Sequence, residues 1–207
     1  MSILYWHNLG HYVTINGMTG AKSQQTAYAY GAVESGLAEV LGIEPDALKA
    51  FKGRVRHLRN LGYPTGLPRP GSGRKIEYSF DQIMEMLFAL FLQHTGYTPR
   101  IAIGLGPGIL RLFKLIRDGL APKTYLAASD AELETYLREG ADIYIAIKGK
   151  RGGPAGDFPT LEDMTFSFWI GYERLEQGLR GMLDDGAIII NASGLVQKMK
   201  DALAKTA

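Results

Sequence analysis

The sequence predicts an α+β protein: a mostly helical N-terminal part built on a helix, a turn and a second helix, then a smaller part in which strands mix with helices. Three observations carry this expectation. Apolar residues recur every three or four positions in two segments between Ala32 and Leu61, whereas from Ile143 to Ile147 they alternate. Glycines stand where the periodic segments end, as helix stops do. The 207 residues, 46% hydrophobic and 21% charged, suffice to bury one good core or two small ones, which excludes a disordered chain.

Residues 1–30 form an expected N-terminal arm, in which His11 to Ile15 followed by Asn16-Gly17 has the pattern of half a hairpin. His7 and His11 lie four apart, but no Cys, Asp or Glu is near enough in sequence to complete a metal site, so no metal is expected. Val33, Leu37, Val40 and Leu41 define a first helix from Ala32 to Leu41, which Gly42 stops. Pro45 opens a second helix, with Asp46 favourably placed at its N-terminus. Leu48, Phe51, Val55, Leu58 and Leu61 form its apolar stripe, and Lys49, Lys52, Arg56 and Arg59 fall off that stripe.

Gly62 ends the second helix. The stretch Tyr63 to Gly73 is rich in proline and glycine and leads into a short extended piece, Arg74 to Tyr78, which together have the form of a wing. Asp81 to Gln93 is apolar nearly all round and reads as a buried helix. After Gly96, Thr98 caps a short helix through Ile101, Ile103 and Leu105, and Gly104 to Gly108 is expected to break the chain as a loop. The helix-turn-helix unit is thus assigned to residues 31–106 and the α+β part to 107–207. That second part is expected to hold a helix from Ile109 to Arg117, a strand near Thr124 to Ala127 and a helix from Asp130 to Leu137. Strands at Ile143–Ile147, Thr165–Ile170 and Ala187–Asn191 follow, then a last helix, Leu195 to Leu203, capped by Ser193.

The charge is sorted along the chain. Net charge is only +2, yet Lys49, Lys52, Arg54, Arg56, Arg59, Arg69, Arg74 and Lys75 fall in one stretch without an acid, while the segments before and after it are net acidic. A basic stripe on one motif focuses potential where a polyanion would lie, so these eight residues together with Tyr78 are the expected DNA-binding set. Other chemistries lack support. With no cysteine there are no disulfides or thiolate metal sites. Lys148 to Gly156 lacks the Lys-Ser/Thr of a phosphate loop, and Gly104 to Gly108 lacks the strand and spacing of a dinucleotide loop. Asp184-Asp185 reads as an exposed turn, the four histidines are scattered, and neither a catalytic residue nor a cofactor is expected. The densest apolar run, Ile83 to Leu92, is short and carries Glu85, so neither a membrane span nor a signal peptide is expected, and the location is expected to be cytoplasmic, on the nucleoid.

Leu37-Ala-Glu-Val-Leu-Gly42-Ile, then the helix ending Arg56-His-Leu-Arg-Asn-Leu-Gly62, then the basic wing and Tyr78, resemble the winged helix-turn-helix of the MerR-like family. The helix Asp81 to Gln93 and the following Gly96-Tyr-Thr-Pro-Arg100 look like that family's third and fourth helices, so the resemblance covers residues 30–106. It implies a sequence-specific regulator of transcription that binds double-stranded DNA as a homodimer, with RNA polymerase or a small effector as further partners. The second helix is longer than the family's, and its arginine-aromatic-aromatic segment matches either Lys49-Ala-Phe51 or Arg56-His-Leu58. The family's long dimerising helix finds no counterpart if Gly104 to Gly108 breaks the chain, which moves the expected dimer contact to the strands and helix after Met164. Two other readings stand beside the regulator: an architectural, replication or packaging factor using the same motif, and a small-molecule or anion-binding module or enzyme.

Overall fold

The computed structural model describes residues 27–67, 75–118, 139–149, 164–170 and 187–206. The expected hairpin at residues 11–17, the elements at 124–127 and 130–137, most of the 148–156 stretch and Asp184-Asp185 lie outside the described residues. In chain order the elements are β1 (Tyr28–Ala29), α1 (Tyr30–Val40), a 3-10 turn (Pro45–Ala47), α2 (Leu48–Asn60), β2 (Glu77–Tyr78), α3 (Phe80–His94) and α4 (Pro99–Arg117). They are followed by β3 (Ile143–Gly149), β4 (Met164–Ile170), β5 (Ala187–Asn191) and α5 (Ala192–Ala204). The α+β expectation holds.

Helices α1 and α2 end by the same device. Gly42 and Gly62 take φ of 62° and 80°, a left-handed conformation that glycine adopts without a Cβ clash. Each chain reversal is closed by two backbone bonds: Gly42 N–H to Glu39 C=O (3.1 Å) with Ile43 N–H to Ala38 C=O (2.9 Å), and Gly62 N–H to Arg59 C=O (2.9 Å) with Tyr63 N–H to Leu58 C=O (3.1 Å). The second helix starts later than expected, because Pro45 opens a single 3-10 turn before α2 proper. Helix α3 carries a full capping box, Ser79 Oγ accepting from Gln82 N–H while Gln82 Oε1 accepts from Ser79 N–H.

The expected break at Gly104 to Gly108 is not there. Helix α4 runs unbroken from Pro99 to Arg117 with Pro107 inside it, so the assigned boundary at 106/107 falls within a helix. Proline costs a helix one hydrogen bond, and here packing outweighs that cost. Ala102, Leu105, Ile109, Leu110, Phe113 and Ile116 form one buried stripe, and α4 lies along α3, itself buried at Ile83, Met84, Met86, Leu87, Phe88 and Leu90. Each large side chain so buried contributes about 1.5–3 kcal/mol, enough for a few of them to offset the lost turn.

The described strands make two antiparallel sheets. Strand β1 pairs with β2, Tyr28 opposite Tyr78, and ties the start of α1 to the strand beyond the proline-glycine stretch. The larger sheet has the order β4-β3-β5, with Ile145 opposite both Phe168 and Ile190. Helix α5 follows β5 directly and is capped by Asn191, whose Oδ1 accepts from Gly194 N–H at 2.7 Å; the expected cap, Ser193, instead accepts from Ile143 N–H at 3.0 Å and so fastens the helix to β3. Helix α5 then returns to α1, where the missing side chain of Gly36 makes room for Met199. Buried residues of α1–α4 and of β3, β5 and α5 therefore belong to one apolar cluster.

Candidate nucleic-acid interface

Helix α2 turns Phe51, Val55 and Leu58 inward, each with no exposed surface. With 3.6 residues per turn, that stripe leaves Lys49 and Arg56 pointing away from the core, and both are exposed. Neither makes an ion pair or hydrogen bond among the described residues. Lys75, just ahead of β2, is exposed as well. Three of the expected DNA-binding residues are thus open to a partner.

Lys52 and Arg59 are not. They flank the buried stripe on the side facing α1, where Glu34 and Tyr30 engage them. Lys52 Nζ lies 2.8 Å from Glu34 Oε1, Tyr30 donates its hydroxyl to Glu34 Oε2 at 2.6 Å, and the Arg59 guanidinium stacks 4.7 Å from the Tyr30 ring centroid. Burial alone would raise the Glu34 carboxyl, but the bonds from Lys52 and Tyr30, with the Arg56 charge nearby, outweigh it and hold the group below the ordinary carboxylate range. Such a lowered group contributes stability that is present above its unfolded value and is lost as pH falls through the lowered one. The Lys52 side chain keeps 54% of its surface exposed, so the pair contributes at most about 1 kcal/mol to the fold. Its larger effect is to occupy a cation.

Glu34→Gln is therefore expected to leave the melting temperature nearly unchanged while freeing Lys52. If the surface binds duplex DNA, the log affinity of the variant falls more steeply with log salt, by about 0.9 for the one added phosphate contact. An unaltered slope in a titration from low to moderate salt would show that Lys52 stays out of reach of the phosphates.

The remaining expected residues divide further. Arg54 lies half-buried on the other side of the stripe, its guanidinium 5.8 Å from the Phe51 ring centroid. Tyr78 is a correction: it has no exposed surface, and its ring packs 6.4 Å from that of Tyr30. An aromatic residue on a basic strand suggested a phosphate contact, but the β1–β2 pairing turns it into the core, where it supports the tyrosine on which Arg59 stacks. Arg69 and Arg74 lie outside the described residues. Sequence reading missed Tyr30 and Glu34, although their spacing of four on one helix was a usable signal.

Elsewhere, a shallow groove between α3 and α4 is lined by Asp81, Glu85, Arg111 and Lys114, with Lys114 paired to Asp81. Among the described residues no group of histidines and carboxylates has the arrangement to hold a metal ion, and no helix is long and apolar enough to cross a membrane. The chain matches no model of a known protein family and no curated protein.

Proposed function

We propose that the chain is a regulator that binds double-stranded DNA in a sequence-specific manner through a winged helix-turn-helix made of α1, the turn at Gly42, α2 and the stretch leading to β2. The observation that carries this reading is the division of α2: Phe51, Val55 and Leu58 are buried on one side, and Lys49 and Arg56 extend from its outer side without an ion pair or hydrogen bond among the described residues. Cations held on a rigid helix and left unpaired suit a polyanion, since phosphates supply most of the binding free energy of such complexes. In this reading α2 enters the major groove, arginine offers two parallel donors to guanine, and Lys75 and the wing arginines hold the backbone. One such motif covers a half-site, so a second copy of the chain completes the site.

The test is selection from a pool of random duplexes by the full chain, followed by binding measurements on the enriched and the unselected DNA. A regulator enriches a motif with two-fold symmetry and prefers it by orders of magnitude. Binding without enrichment points to an architectural or packaging factor, and no binding to duplex DNA at low salt overturns both.

A further inference from the structure

The outer side of α2 has a bare centre. Gly53 lies in the middle of the helix, nearly opposite the stripe of Phe51, Val55 and Leu58, and it is exposed. A Cβ built there would meet nothing within 4 Å, in contrast to Gly36 and Gly106, whose places are filled by Met199 and Tyr63. Its backbone is ordinary right-handed helix, so no left-handed turn calls for glycine. Alanine would make the better helix at this position. Nothing among the described residues explains it. Outside the helix its neighbours are Lys49 one turn before, Arg56 and His57 one turn after, and Ala50, all exposed. Gly31 and Gly108 are as open, but neither has a cation within one turn both before and after it on its own helix.

We infer that Gly53 is the point at which the backbone of α2 meets the floor of the DNA major groove, with Ala50 beside it and Lys49 and Arg56 reaching the rim. The inference rests on the duplex-binding reading and adds to it the orientation of the helix and a residue that sets specificity. A helix with side chains is about as wide as the groove that admits it, so depth is limited by the side chains on its outer crest. A crest without a Cβ lets the helix axis approach the base edges, and the shorter arm this leaves brings the flanking cations to the phosphates.

The signs of two measurements separate this role from a structural one. Gly53→Ala is expected to raise the melting temperature by about 1–3 °C, because a helical glycine is replaced at an open position. The same variant is expected to lose at least tenfold in affinity for the duplex that the wild-type chain enriches from a random pool, and much less for unselected duplex. Gly53→Leu, also a good helix former, should lose more. Both affinities equal to wild type or higher, in variants that melt as high as wild type, would overturn the inference while leaving the DNA-binding reading in place. A wild-type chain that binds no duplex overturns the reading and the inference with it.

Discussion

Gly106→Ala is expected to destabilise the fold by about 2–3 kcal/mol and to lower the melting temperature by roughly 5–10 °C, although helix propensity alone favours alanine by about 1 kcal/mol. Gly106 lies inside α4 and faces α3. A Cβ there would stand 2.5 Å from the Tyr63 hydroxyl oxygen and 3.2 Å from the Glu85 carbonyl oxygen. Neither neighbour yields easily. Tyr63 is 2% exposed and donates its hydroxyl to that same carbonyl at 2.9 Å, and burial raises its phenol well above the ordinary range, so the group is neutral and serves as a donor at any working pH. Displacing the ring loses this bond and overpacks the junction of α3 with α4, effects of about 1–3 kcal/mol each. Tyr63→Phe removes the obstructing oxygen, so the double variant should be more stable than the sum of the two single changes by about 1 kcal/mol or more. Gly106→Ala melting at or above wild type would show that α3 and α4 can part without cost.

That position also shows where local sequence signals stop. The stripe of α2 was legible because a helix with one buried face repeats its apolar residues at a fixed spacing, and Phe51, Val55 and Leu58 do so without interruption. Gly42 and Gly62 were legible for a related reason: a left-handed residue at the end of such a run has few alternatives. In α4 the local and tertiary signals conflict. Gly104, Gly106, Pro107 and Gly108 all weaken a helix, yet Leu105, Ile109, Phe113 and Ile116 keep helical spacing straight across them. The conflict is resolved by α3, which offers a long apolar face and whose Glu85 carbonyl, together with Tyr63 from the turn after α2, leaves a place that only glycine fits. A local reading has no access to that partner.

The candidate site divides in the same way. That α2 carries a cationic side followed from charge sorted along the chain. Which cations remain available did not, because Lys52 and Arg59 are engaged by Glu34 and Tyr30 from another helix. Tyr78 was misplaced since a two-residue strand gives too short an alternation to tell its faces apart; only the pairing of Tyr28 with Tyr78 decides it. The cap of α5 was displaced by two residues, Asn191 and Ser193 both being able to accept from a first-turn N–H, and the second being drawn away by Ile143.

The double variant Lys49→Ala/Arg56→Ala is expected to produce the largest loss of DNA binding of any pair on α2. Both side chains are exposed and make no ion pair or hydrogen bond among the described residues, so their removal should leave melting nearly unchanged. If both meet phosphate, the slope of log affinity against log salt should flatten by about 1.8, and affinity should fall alike for enriched and unselected duplex. If Arg56 instead reads a guanine, Arg56→Ala alone should cost about 5- to 150-fold on the enriched duplex and far less on unselected DNA, with the slope flattened only by Lys49. Lys52→Ala supplies the comparison: Glu34 already neutralises that ammonium, so its removal should change the slope by less than either residue of the pair. A double variant that keeps the wild-type slope and affinity would turn α2 away from the nucleic acid. The basic stripe would then have to act through Lys75 and the residues between Leu67 and Lys75.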